Sequence, residues 1–211
     1  MKGLLVKEFL GMKNFFIIFL FVVAICMIPA FVSQDSDFST GFMIAICIFI
    51  GGMMGFTSFA YDKAYGWDSY VLSLPYTRKQ LVLSKYLFSL LITGIGAAIG
   101  FAVNLILVAL GVAQMEPDAW MIVGILACMV GIFISIMIPL MYWFGIEKAR
   151  IIVIVIFLVP FMLLSIIGGK NGAEGMMETI AMLMEFLPFV SVAALVVSWF
   201  VSVRIYTKKE V

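Results

Sequence analysis

This 211-residue chain has no histidine, three cysteines and six prolines, and only 12% of its residues carry charge. Each scarcity excludes something. Without histidine there is no serine–histidine triad, no histidine-ligated metal and no imidazole proton shuttle. Cys26, Cys47 and Cys128 all lie inside apolar runs, lack metal-ligand spacing, and read as small buried hydrophobes. The phosphate-cradling pattern G-x-x-x-x-G-K-[ST] does not occur, so the chain has no nucleotide motor of that kind. A G-x-G-D aspartyl motif is missing as well. An enzyme is a poor reading.

What the chain has in abundance is apolar side chains. Hydrophobic residues make up 65% of it, and mean hydropathy is +1.22. Soluble domains average about half apolar and about a quarter charged, so this is a membrane composition, one domain by length. Six apolar runs approach or exceed the length a spanning helix needs: 14–32, 40–60, 83–112, 119–144, 151–168 and 183–204. All are apolar around the whole helix, unlike the one-faced stripe of a soluble bundle. The third is long enough to begin before the bilayer; the fifth is short and contains Pro160. The first outlasts a signal-peptide core and no small-x-small cleavage site follows it, so it reads as a span.

Charge placement gives an orientation. With the N-terminus inside, twelve of the thirteen basic residues fall on the cytoplasmic side and only Lys170 falls outside. Seven of the twelve acidic residues fall outside, including Asp35, Asp37, Glu116, Asp118 and Glu185. The overall charge of +1 thus conceals about +7 inside and −6 outside. The expectation is an all-α membrane protein of six spans with both termini cytoplasmic.

Polar residues in the middle of the runs are few. Asn104 is the most polar mid-membrane side chain, with Thr57, Ser58, Thr93 and Ser135 as weaker company. Asn104 either hydrogen-bonds across helices or lines a path. Gly51 and Gly55, Gly96 and Gly100, and Gly124 and Cys128 have the four-residue spacing that lets backbones approach, within one chain or between two. Residues 169–188, GKNGAEGMMETIAMLMEFLP, are glycine-rich, then acidic and methionine-rich. They read either as a short interfacial or re-entrant helix broken at Pro188, or as a loop with a frayed helix start.

The most unusual stretch is YDKAYGWDSYVLSLPYTRKQ, residues 61–80, polar between two apolar runs and cytoplasmic by charge. Trp67, Tyr70, Val71 and Leu74 fall at i, i+3, i+4 and i+7, one face of a short helix. Pro75 ends that helix, and Thr77 caps a new one leading into the third run. Helix, break, helix is the expectation for 61–82. Such a unit either anchors in the headgroup layer or docks its aromatic face on a cytoplasmic protein.

Here a resemblance enters. Asp62, Trp67, Asp68 and Tyr70, then Ser73-Leu74-Pro75, Arg78, Val82 and SKYL (84–87), resemble the short type-2 permeases of ATP-binding-cassette (ABC) exporters, of the Gram-positive bacterial kind. The opening MKGLLVKEFL is similar to the way these permeases begin, and the layout matches along the whole chain. The resemblance implies a permease subunit in the bacterial cell membrane that binds no cofactor itself. ATP and Mg would sit on a separate ATPase, two copies working with two permease subunits, the second identical or related. Residues 61–82 would hold the coupling helix, with Trp67, Tyr70, Val71 and Leu74 as the ATPase-docking face. Asp68 and Arg78 would make polar contacts, to the ATPase or within the elbow. An N-terminal helix would lie along the inner interface with Leu5, Phe9 and Met12 on one side. Residues 169–188 would match a re-entrant turn closing the outer mouth, with Glu185 and Pro188 at that gate.

The implied substrate is amphipathic or hydrophobic, a peptide such as an antimicrobial or toxin peptide by preference, with lipid or drug as alternatives; lipid, not nucleic acid, is the surrounding partner. Two other classes compete. A motor-independent secondary transporter or channel would want buried coupling charges at mid-membrane or mirrored broken helices, and the cores of the runs show neither. An immunity or scaffold protein without transport is compatible with every residue quoted.

Overall fold

A computed structural model of the chain describes residues 2–32, 36–71, 75–111, 119–168 and 173–208. Every regular element among them is helical: α1 (Lys2–Gly11), α2 (Lys13–Val32), α3 (Ser36–Ala64), α4 (Trp67–Val71), α5 (Arg78–Ala109), α6 (Ala119–Phe144), α7 (Ile146–Gly168) and α8 (Ala173–Lys208). Each apolar run coincides over most of its length with one of α2, α3, α5, α6, α7 or α8. Among the described residues four stretches are long and apolar enough to cross a membrane: Met43–Ala64, Arg78–Ala109, Trp120–Phe144 and Phe186–Lys208. Gly3–Gly11 and Lys13–Ile25, bent by 53° at their junction, make a fifth if counted as one span.

The centre of the bundle is the α3–α5 pair, and glycine makes it close. A Cβ built on Gly96 would lie 2.6 Å from the carbonyl oxygen of Cys47, and one on Gly51 would lie 3.0 Å from that of Ile92. Gly100 meets the Ile44 Cα in the same way, at 3.3 Å. The spaced glycines of these two helices therefore face each other within one chain, backbone on backbone, where dispersion and not hydrophobic expulsion holds helices in lipid. A Cβ on Gly124 would meet nothing within 4 Å among the described residues of the chain, so Gly124 makes no such contact within it.

Polar contacts add directional ties. The Tyr86 hydroxyl on α5 hydrogen-bonds the hydroxyls of Ser198 (2.5 Å) and Ser202 (2.8 Å) on α8, and Ser198 donates to the Ser135 carbonyl of α6. Three helices are thereby pinned at one depth by side chains that would otherwise be unsatisfied in an apolar medium. The opposite surface is greasy: Ile17, Phe21, Leu91, Ile154, Phe189 and Val197 are all exposed, as lipid-facing residues should be.

Two expectations change. α8 does not break at Pro188; the helix runs through it for 36 residues, about 54 Å at 1.5 Å per residue. Without water to satisfy freed carbonyls, a helix in an apolar medium keeps its remaining backbone bonds around a proline. Residues 169–172 lie outside the described residues, as does the side chain of Glu185. Second, α3 continues four residues past the expected end of its run, to Ala64, so the elbow begins later than residue 61.

The glycine clasp makes a direct prediction. Gly96→Ala should destabilise the detergent-solubilised protein by about 1–3 kcal/mol, because its Cβ meets backbone that cannot rotate away. Gly94→Ala on the same helix meets nothing within 4 Å and should leave the thermal midpoint nearly unchanged. Equal effects of the two would contradict the packing.

Candidate functional site

The element ends that carry most of the basic residues meet at one end of the bundle. α3 ends there, α5 starts there, α6 turns into α7 there at Gly145 (φ +77°), and α8 finishes there. α1 lies across this end, bent by 53° from α2, with Leu4 and Glu8 buried, Val6 and Leu10 exposed, and Met12 buried at its junction with α2. A cavity of about 470 Å³ opens among these ends, lined by residues of α1, α3, α4, α5, α6, α7 and α8. Its walls are aromatic, including Phe59, Trp67, Tyr142, Trp143 and Tyr206, and its polar floor is Glu8, Asp62 and Lys85.

That floor is a closed ion cluster. Lys85 on α5 binds Glu8 of α1 at 2.7 Å and also Asp62 of α3. Lys7 of α1 binds Asp62 and, at 3.1 Å, Glu8. Ser58 of α3 accepts from Lys85 at 2.7 Å and donates to Glu8. The side chains of Glu8, Asp62 and Lys85 are only 5%, 10% and 8% exposed, and Lys7 28%. Two cations and two anions cancel, which is how charges survive removal from water. Both ammonium groups also lie over aromatic faces, Lys7 at 4.2 Å from the Trp67 ring centroid and Lys85 at 4.9 Å from that of Phe59. Burial alone would push the Glu8 carboxyl up, but the charges of Lys85 and Lys7 and the hydrogen bonds from Lys85 and Ser58 outweigh it and hold it below the ordinary value of 4.5.

The elbow follows the expected order of helix, break and helix. α3 stops at a turn in which Gly66 takes φ +63°, a conformation a side chain would strain, and α4 occupies five residues. Pro75 to Thr77 are non-helical, and α5 then starts on a full capping box: Thr77 accepts from the Gln80 amide, and the Gln80 side chain accepts from the Thr77 amide.

The expected docking face is not one outward face. Val71 is 2% exposed and packs in the core with Leu4, Val82 and Tyr206, because a five-residue helix on a bundle must bury its most apolar position. Trp67 is partly buried against the same core under the Lys7 ammonium. Tyr70, in ring contact with Trp67 at 5.5 Å, remains 59% exposed. Arg78 reaches the far end of the chain: its guanidinium donates to the carbonyls of Tyr206 and Thr207, both at 3.0 Å. It thus caps the last turn of α8, where carbonyls lack helical partners. Leu74 and the side chain of Asp68 lie outside the described residues. Asn104 is 3% exposed in the last two turns of α5, and its Oδ1 has no hydrogen-bond partner among the described residues.

Sequence reasoning missed the ion cluster. One signal was available: Lys85 sits one turn from Val82 and Ser89, with Tyr86 beside it, on what becomes the buried face of α5. A lysine there needs a carboxylate partner, and Glu8 and Asp62 are two of the few acids on that side.

A family model described as ABC-2 family transporter protein matches residues 3–207. The chain belongs to that family. It is therefore a multi-pass membrane protein and a permease component of an ABC transporter, a role that in this family is generally not itself catalytic. No curated protein and no solved structure matches it. The match takes in the ion cluster, the elbow and the aromatic cavity of this ABC-2 permease, so all three belong to the family's portion of the chain.

Acid should expose the cluster. A carboxyl depressed in the folded state contributes stability that is complete above about 4.5 and is lost as pH falls through its lower folded value. Thermal unfolding followed from about pH 7 to about pH 3 should show that loss, and Glu8→Gln should be less stable at neutral pH while losing less in acid. Parallel acid profiles for the two proteins would count against it.

Proposed function

We propose that this permease is the membrane half of an exporter, driven by a separate ATPase that docks at its basic end. In this reading the six long helices α2, α3, α5, α6, α7 and α8 are the six spans, and both termini are cytoplasmic. Two copies of the ATPase, each binding ATP and Mg, sit beneath two permease subunits, identical or related. The cargo is an amphipathic or hydrophobic molecule, a peptide by preference and a lipid or drug by alternative, moved outward across a bacterial membrane. The scarcity of charge in the apolar runs suits such a cargo better than a small hydrophilic ion.

The observation that carries this reading is the elbow. A five-residue helix with an exposed tyrosine is set between two spans at the end where basic residues converge, over a chain with no phosphate loop of its own. Tyr70 is the outward contact, and Trp67 and Val71 hold the elbow onto the bundle. Asp68 and Leu74 complete the docking surface, and Arg78 positions it by tying the start of α5 to the end of α8. At the other end, the segment leading to Pro188 would close the outer mouth with Glu185 on its rim. The buried Oδ1 of Asn104, without a partner among the described residues, is a candidate for the pathway or for helix packing.

Co-expression with the ATPase, gentle solubilisation and affinity capture test this. The wild-type pair should co-purify and hydrolyse ATP in a permease-dependent way. Trp67→Ala with Tyr70→Ala should insert in the membrane yet lose the ATPase, and Tyr70→Ala alone should weaken capture. Full association of the double variant would reduce the elbow to an interfacial anchor, and ATPase-free transport would end the exporter reading.

A further inference from the structure

α4 is not continuous with the helix on either side of it. Toward α3 the helix has ended at Ala64, before a turn in which Gly66 takes positive φ; toward α5 the residues Pro75 to Thr77 are non-helical. Side-chain contacts therefore tie α4 to the spans in addition to the chain itself. Val71 gives α4 an apolar foothold in the core. A charged group meets α4 as well: the Lys7 ammonium lies 4.2 Å over the Trp67 ring. Lys7 is on α1, and it binds Asp62 of α3 as well as Glu8 beside it. Glu8 in turn binds Lys85 of α5 and Ser58 of α3.

We infer that Lys7 and Glu8 are positioning residues: through them the N-terminal helix holds the elbow in register with α3 and α5. The inference deepens the docking reading, on which its role in transport rests. The physical reason is that buried ion clusters are stiff and selective. Each group has a defined partner set, and an alternative arrangement would leave a charge unpaired at low dielectric. Packing of Val71 alone would let α4 slide; the ammonium over Trp67 fixes where it sits. α1 is then more than an amphipathic float on the bilayer. It is a strut between the elbow and the two most closely packed spans, and the same four charges that attach it also define its place. Trp67 shares this function, because its ring is the point at which α4 meets the cluster.

Intramolecular distances in the permease alone test the inference without any ATPase. In a cysteine-free background, spin labels at Tyr70→Cys (α4) and Leu90→Cys (α5) report the elbow, and labels at Met53→Cys (α3) and Leu90→Cys report the bundle. Lys7→Met should broaden and shift the elbow distribution while leaving the bundle distance unchanged, and Lys7→Arg should restore it. Trp67→Leu, which keeps an apolar side chain but removes the ring beneath the ammonium, should act like Lys7→Met. An unchanged elbow distribution in either variant overturns the inference. So does equal broadening of the bundle pair, which would mean a general loss of fold, and so does failure of Lys7→Arg to restore it. Co-purification of the ATPase with wild-type permease is a separate readout: its failure removes the docking reading and leaves these distances to stand or fall on their own.

Discussion

Four mutually neutralising charges at the end of an apolar bundle set the terms for everything around them. Lys7, Glu8, Asp62 and Lys85 come from three helices, and each lysine bridges both carboxylates. Removing any one leaves a buried charge without its balance, which is far more costly than the net worth of the intact cluster. That asymmetry accounts for the 53° bend by which α1 leaves the line of α2. Only in that position do its charged residues reach the cluster while Leu4 and Met12 reach the core.

The rest of the bundle solves a different problem. In lipid there is no hydrophobic gain from joining two apolar helices, so close backbone approach and hydrogen bonds must do it. The glycines of α3 and α5 supply the first and the Tyr86–Ser198–Ser202 ladder the second. These fix the depth and rotation of α5, and so fix where Lys85 enters the cluster. Arg78, about two turns earlier on the same helix, ties in the end of α8. The polar elbow is thus mounted on helices whose relative positions are already determined, with aromatic walls around a cavity that has room for movement.

The features legible in the sequence were those written in local chemistry or in periodicity. Apolar run lengths marked the long helices, Thr77 marked the start of α5, and Gly51, Gly96 and Gly100 marked close contacts. The family resemblance rested on the elbow residues, and the chain does belong to that family. What escaped depended on tertiary choices that no spacing records. A four-residue stripe says that Trp67, Tyr70 and Val71 share a side, but not that the bundle claims Val71 for its own core. Glu8 looked like one acid among lysines because its partners other than Lys7 stand 50 to 77 residues away, at Ser58 and Lys85. Proline at 188 is a break by local rule, yet an apolar surrounding favours the unbroken helix. Arg78 is similar: its acceptors are main-chain carbonyls at the far end of the chain.

The measurement that bears most directly on this account is a double-mutant cycle of unfolding free energy on Glu8 and Lys85 in detergent. Each single neutralisation, Glu8→Gln or Lys85→Met, should cost about 3–5 kcal/mol by stranding a buried charge. The double variant keeps the Lys7–Asp62 pair balanced and should lose much less than the sum of the two. Strictly additive losses, or single variants as stable as the parent, would contradict the claim that one neutral buried cluster organises this end of the permease.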